Sequence, residues 1–303
     1  MLTAEGSSSL PLTPIGRISA ITGDEVSLYL HKLQEYEQVR TTSSPYIIDK
    51  SWMKNVVHVT GASDDNTNDI LTTALNGHAT IITDTLYGGN VHLFTKSSAE
   101  AVQQLSSERL TNLLNSGIGV LTYFGHSSAS TLEFNLDNPL NYNNPSKYPV
   151  FIVMGCNAGN FFNFNTARFT TKETLSEKYV LAPERGSIAF LASTHLGIVH
   201  YLDIYNTQFY TALSRTRYGV TIGEQMDEAI NSVFNITTEN DFYARFQCEQ
   251  FSLHGDPAIK LYAFDKPDYV IEDPLVKVSP SFISIADTSF KVKASFMMSL
   301  RKP

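Results

Sequence analysis

The chain has 303 residues, 42% hydrophobic and 17% charged, with a formal net charge of −8. That length can bury a full core as one large or two modest domains, and the balance is that of a globular protein rather than a disordered one. An acidic chain with no Lys/Arg cluster excludes the usual basic nucleic-acid surface, and no apolar run reaches the ~20 residues of a membrane helix.

Met1–Ser9 is a polar, Ser-rich lead without the charged-then-apolar pattern of a signal peptide. Thr22 precedes Glu25 at capping-box spacing, and Val26, Leu30 and Leu33 follow at helical intervals, so Asp24–Gln38 is predicted as an amphipathic helix. Thr41–Pro45 breaks it. Asn55–Thr60, with Val56, Val57 and Val59, reads as a buried strand. Gly61–Asp69 is an acidic loop before a helix at Ile70–Leu75, which Gly77 ends, and Ala79–Thr83 is predicted as another strand. Leu86–Asn90 turns on Gly88-Gly89. A helix over Ser98–Leu114 stops at Gly117.

Two apolar runs follow, Ile118–Phe124 and Pro149–Met154, each of the length of a buried strand. Later elements are helices at Lys172–Val180, Leu202–Leu213 and Ile222–Phe234, a short run at Ile188–Ala192 and a final strand at Ala258–Tyr262. Strands alternating with helices imply βαβ units and a mostly parallel sheet flanked by helices, an α/β fold. From Pro267 the pattern changes to alternation at Val276–Ser279, Phe282–Ile285 and Ser289–Phe296. This reads as the opening strands of an immunoglobulin-like β-domain cut short, in a chain belonging to something longer.

The two runs ending in Gly125-His126 and Gly155-Cys156 carry the chemistry. As parallel neighbours ~4.8 Å apart, they would present an imidazole and a thiol at one carboxyl edge, where open α/β sheets place ligands. Backbone N–H groups of the turn after Cys156 would favour the thiolate and form part of an oxyanion hole. The imidazole would take the thiol proton and return it to the leaving amine. A lone Cys is ordinarily a buried structural thiol, and it is the pairing at consecutive strand ends that selects the dyad. Cys156 and Cys248 make neither a disulfide framework nor a zinc site. His195 and His200, five apart, do not match helical metal-ligand spacing and read as loop residues beside the cleft, His195 as a substrate contact. His58 reads as a core histidine, Phe161, Phe162 and Phe164 as pocket wall or packing, Asp256 as a turn residue, and Cys248 as inert.

The segments YFGHSS (Tyr123–Ser128) and MGCNAG (Met154–Gly159), the 30-residue step from His126 to Cys156, IGRISAIT, GSIAFLAST and HGDPAIKLY together resemble the gingipain-type cysteine peptidases, family C25. The resemblance runs over roughly residues 10–290. It implies a caspase-like α/β fold and amide hydrolysis through an acyl-enzyme, with His126 as base and Cys156 as nucleophile. It also implies an oxyanion hole at the Gly-His-Ser turn (Ser127) and the Cys156 N–H, and export to the cell surface by a Bacteroidetes-type (type IX) route. The family usually has Gly where Ser127 stands. An acidic residue orients the histidine in the family; Ser63 and Asp64 compete for that place, with Asp64 favoured. Asp69 sits where Arg-specific members carry a pocket carboxylate, which implies a preference for Arg or Lys, with an N-cap role as the rival.

On this reading residues 1–50 form the opening part of the catalytic region, 51–266 the α/β catalytic part and 267–303 the β-domain start. The partners implied are a protein or peptide substrate and further domains of the same chain. No cofactor is required, and the acidic loops permit calcium as a structural ion without EF-hand spacing. A transpeptidase on the same fold and a catalytically silent scaffold are the rival functions.

Overall fold

The computed structural model describes residues 10–42, 47–62, 64–84, 86–95, 100–132, 134, 136, 138–162, 166–262, 269–270, 273–279, 289–295 and 297–298. Helices α1 (Gly23–Thr41) and α2 (Ile47–Lys50) lead into β1 (Asn55–Gly61). Then follow α3 (Asp65–Ile82), β2 (Asn90–Phe94), α4 (Glu100–Ser116), β3 (Val120–Gly125), β4 (Val150–Met154) and α5 (Leu175–Val180). β5 (Ala189–Ser193), α6 (Val199–Thr211), α7 (Ile222–Ile236), α8 (Phe242–Gln250) and β6 (Phe251–His254) complete the α/β part.

One six-stranded sheet has the order β2-β1-β3-β4-β5-β6. Its first five strands are parallel and β6 is antiparallel to β5. This is the mostly parallel, helix-flanked, caspase-like α/β sheet. β4 and β5 are buried at every residue, and β1 and β3 at all but one, as continuous apolar runs demand of strands covered on both faces.

Four expectations are corrected. Asp65–Ile82 is one helix, so Asp65–Asp69 are not loop, Gly77 is interior, and Ala79–Thr83 is no strand but the last turn and C-cap of α3. Leu71, Leu75, His78 and Ile82 are its buried residues, an i, i+4, i+7, i+11 stripe that outweighs the β-branched run at its end. The strand after that helix is instead β2, within Asn90–Phe94. Ala258–Tyr262 is irregular although Ile259, Leu261 and Tyr262 are buried. The carbonyls of Pro257 and Ile259 accept from Gly223 and Ile222 at the start of α7, and Lys260 from the Tyr36 hydroxyl. The closing strand is β6.

The fourth correction concerns the face of α1. Val26 and Leu30 are exposed, while Glu25, Tyr29, Lys32 and Tyr36 are buried. Thr22 caps the helix as expected, but the Glu25 carboxylate accepts from the Ile21 N–H rather than closing the box on Thr22. Each buried side chain ends on a polar partner. Tyr29 donates to the Ile188 carbonyl and Tyr36 to that of Lys260. The Lys32 ammonium lies 2.8–3.2 Å from four carbonyls, of Tyr179, Val180, Arg185 and Ser187, which share its three N–H donors. Burial pulls Lys32 down to about 7, against the upward pull of Glu35. Arg168 bonds both Glu25 and Glu177, and Lys172 lies 2.9 Å from Glu25.

Beyond residue 268, β7 (Tyr269–Val270) pairs antiparallel with β10 (Met297–Met298), and β8 (Val276–Ser279) with β9 (Lys291–Ala294). The strand expected at Phe282–Ile285 lies outside the described residues.

Candidate active site

β3 and β4 run in register to Phe124↔Met154. His126 and Cys156 each stand two residues beyond that last pair, at the carboxyl ends of adjoining strands that lie ~4.8 Å apart. His126 is exposed and Cys156 half-buried. The approach of β1 and β3 at this edge requires glycine: a Cβ on Gly125 would collide with the Gly61 carbonyl. The same carbonyl accepts from the His126 N–H at 2.7 Å. The Tyr123 hydroxyl donates to the His126 carbonyl at 2.5 Å. The imidazole therefore rises from a backbone held on both sides.

The nucleophile turn is held as firmly. Asn157 takes the left-handed conformation, φ 58°, which Asn tolerates better than most residues. Its N–H donates to the His195 carbonyl at 2.7 Å, and the Gly159 N–H to Ser193 at 2.9 Å. The Gly197 N–H points at Cys156 Sγ, 3.3 Å away. That amide sits in the β5–α6 loop, which two buried glutamines of α8 secure. Gln250 donates to the Leu196 carbonyl, and Gln247 bonds Ser193 Oγ and the Ile198 N–H. The Ser127 hydroxyl donates to the Cys156 carbonyl at 2.7 Å.

Asp64 is the N-cap of α3, its Oδ1 accepting from the Thr67 N–H at 2.8 Å. That bond holds the carboxyl below its ordinary value, with a smaller contribution from the neighbouring His126. Ser63 lies outside the described residues. Asp69 is exposed in the second turn of α3, not at its cap. It lines a cavity of about 810 Å³ between α3 and α6, together with Ile70, Val199, His200 and Asp203. His195 is exposed, and the bond it gives the nucleophile turn comes from its main chain.

The remaining residues are structural. His58 is buried with Nε2 2.9 Å from the Tyr210 hydroxyl, and burial drives it down to about 3. Cys248 is buried and pushed up to about 12. Asp256 accepts from the Ala258 N–H, a turn bond. Phe161 stacks on Phe162 and packs at a tilt against His254, and both Phe rings line a separate cavity of about 380 Å³ with Arg17 and Ser19. Phe164 lies outside the described residues. Among the described residues no group of three or more His, Cys, Asp or Glu side chains is arranged to hold a metal ion.

Sequence reasoning missed the Ser127 hydroxyl contact, the Gly197 amide and the two glutamines. The first joins two loops 29 residues apart; the others come from chain segments more than 40 residues beyond the nucleophile. No local pattern encodes such pairings.

A mostly parallel α/β sheet with an imidazole and a thiol at adjoining strand ends defines a class, the caspase-like cysteine peptidase scaffolds. The chain belongs to peptidase family C25, whose model matches residues 2–262. Among solved structures it is similar to the crystal structure of the Arg-specific cysteine proteinase gingipain R, with TM-score 0.68 and 17% identity over 89% of this chain and 60% of that one. A complex of Porphyromonas gingivalis RgpB pro- and mature domains matches with TM-score 0.66 and 17% identity, over 89% and 62% of the two chains. At this identity the likeness speaks to the fold, and this chain spans about 60% of the length of the gingipain R chain. No curated protein matches significantly.

Proposed function

We propose that this chain is the catalytic part of a cysteine endopeptidase. Cys156 Sγ gives its proton to His126 and attacks the scissile carbonyl carbon. The C–S bond forms as the carbonyl electrons move to oxygen, opposite the N–H groups of Cys156 and Ser127. The C–N bond then breaks and His126 delivers the proton to the leaving amine. Water, deprotonated by His126, attacks the thioester and releases the acid and the thiol. No cofactor takes part. Asp64 steadies the imidazolium through charge. Asp69 and His195 are read as substrate contacts, with the Asp69 carboxylate, which lines the α3–α6 cavity, favouring Arg or Lys by opposite charge. Placement at the cell surface, and further domains of the same chain, rest on the family resemblance; among the described residues no helix is long and apolar enough to cross a membrane.

The observation that carries this reading is the β3–β4 register, which brings His126 and Cys156 to adjoining strand ends. The test is alkylation by iodoacetamide near pH 6. Cys156 is expected to react far faster than the buried Cys248, and His126→Ala to slow it. Equal, slow labelling of both thiols would overturn the reading.

A further inference from the structure

The peptide unit that follows the nucleophile is fastened at both ends. Its carbonyl, that of Cys156, accepts from Ser127 Oγ at 2.7 Å, and its N–H, that of Asn157, donates to the His195 carbonyl at 2.7 Å. Between these bonds Asn157 holds its left-handed φ of 58°. Rotation of that peptide plane would re-aim the Cys156 backbone, and with it both Sγ and the N–H that faces the oxyanion. Space for the hydroxyl exists because residue 155 is glycine: a Cβ there would collide with Ser127 Oγ. Ser127 is also the residue next to His126. One hydroxyl thus couples the loop carrying the base to the turn carrying the nucleophile.

We propose that the Ser127 hydroxyl is a positioning residue for catalysis, acting through the Cys156–Asn157 peptide, a role separate from any use of the Ser127 N–H. The proposal rests on the cysteine-peptidase reading above. A neutral hydrogen bond of this kind has a modest net effect on stability, but a displacement near 1 Å at a reacting atom can cost orders of magnitude in rate. The signature is therefore a loss in kcat rather than in folding or KM.

Ser127→Ala keeps the N–H and removes only the hydroxyl. On a fluorogenic peptide that the wild type cleaves, kcat is expected to fall about ten-fold with KM within about two-fold and an unchanged melting temperature. Ser127→Thr, which restores the hydroxyl, should recover most of the loss. If the Ala variant folds poorly, the near-isosteric pair Ser127→Thr and Ser127→Val decides, with Thr expected about ten-fold faster. Equal kcat within that pair, or unchanged kcat in the Ala variant, overturns the proposal while leaving the peptidase reading intact. Wild-type protein that labels Cys156 and Cys248 equally slowly overturns both.

Discussion

Glu25 offers the sharpest quantitative check on how the first helix is attached. Burial raises its carboxyl, but the Arg168 guanidinium, the Ile21 N–H and Lys172 more than offset this and hold it at about 2 rather than 4.5. A carboxylate depressed in the folded state adds stability that is complete above its unfolded value and disappears as pH falls through its folded one. The shift corresponds to about 3 kcal/mol, full above pH 4.5 and lost towards pH 2. Glu25→Gln removes the titrating group and leaves the side-chain volume. Urea unfolding of both proteins across that range gives the difference, because the carboxylates remote from Arg168 are common to both and cancel, and Glu177 keeps its own bond to Arg168. The gap should be about 3 kcal/mol at neutral pH and should close towards pH 2. A gap that is constant with pH, or absent at neutral pH, would show that the pairing with Arg168 does not hold Glu25 in its charged form.

Lys32→Met keeps the length of the stem and leaves four carbonyls without their shared donor. A loss of about 3–5 kcal/mol is expected in denaturant unfolding, and a loss under about 1 kcal/mol would mean that those carbonyls find other donors. Asp64→Asn retains a side chain able to cap α3 but removes the charge near His126. The melting temperature should hold while kcat/KM falls, and equal activity would remove Asp64 from the catalytic group. Asp69→Asn is expected to erase any preference for Arg or Lys in a fluorogenic peptide library without slowing alkylation of Cys156. A wild type with no such preference would remove Asp69 from specificity.

The parts of the fold legible in the sequence were those with one dominant signal. β1, β3, β4 and β5 are short apolar runs buried on both faces, and nothing local competes with that reading. Glycine directly after two of them marks the strand ends, and with them the positions of His126 and Cys156 along the sheet edge. The segment around Asp65–Thr83 failed because local cues opposed the tertiary solution. Gly77 resembles a terminator and Thr80-Ile81-Ile82-Thr83 a strand, yet burial of Leu71, Leu75, His78 and Ile82, with His78 bonded to Asn206 of α6, extends the helix through both. The helix consequently begins earlier, so the cap is Asp64 and Asp69 is displaced into the second turn. Ala258–Tyr262 has the burial of a strand but spends its carbonyls on α7 and Tyr36. The buried face of α1 was illegible for a different reason: hydropathy ranks Val26 and Leu30 above Lys32 and Glu25. The partners that reverse that order lie well over a hundred residues away.

The attachment of α1 through main-chain oxygens also bears on how this chain can change by mutation. Tyr29, Lys32 and Tyr36 recognise the course of the backbone at Tyr179–Ser187, Ile188 and Lys260 rather than the side chains there. A contact of that kind is blind to substitutions on the recognised side so long as the chain keeps its path. The docking thus constrains the three helix residues by side chain and the gripped stretch by path alone, while Tyr179, Val180 and Ile188 are held by their own burial in the core. Relatives sharing little identity could keep this docking intact, and insertions that redirect residues 179–188 would break it even with every helix residue unchanged.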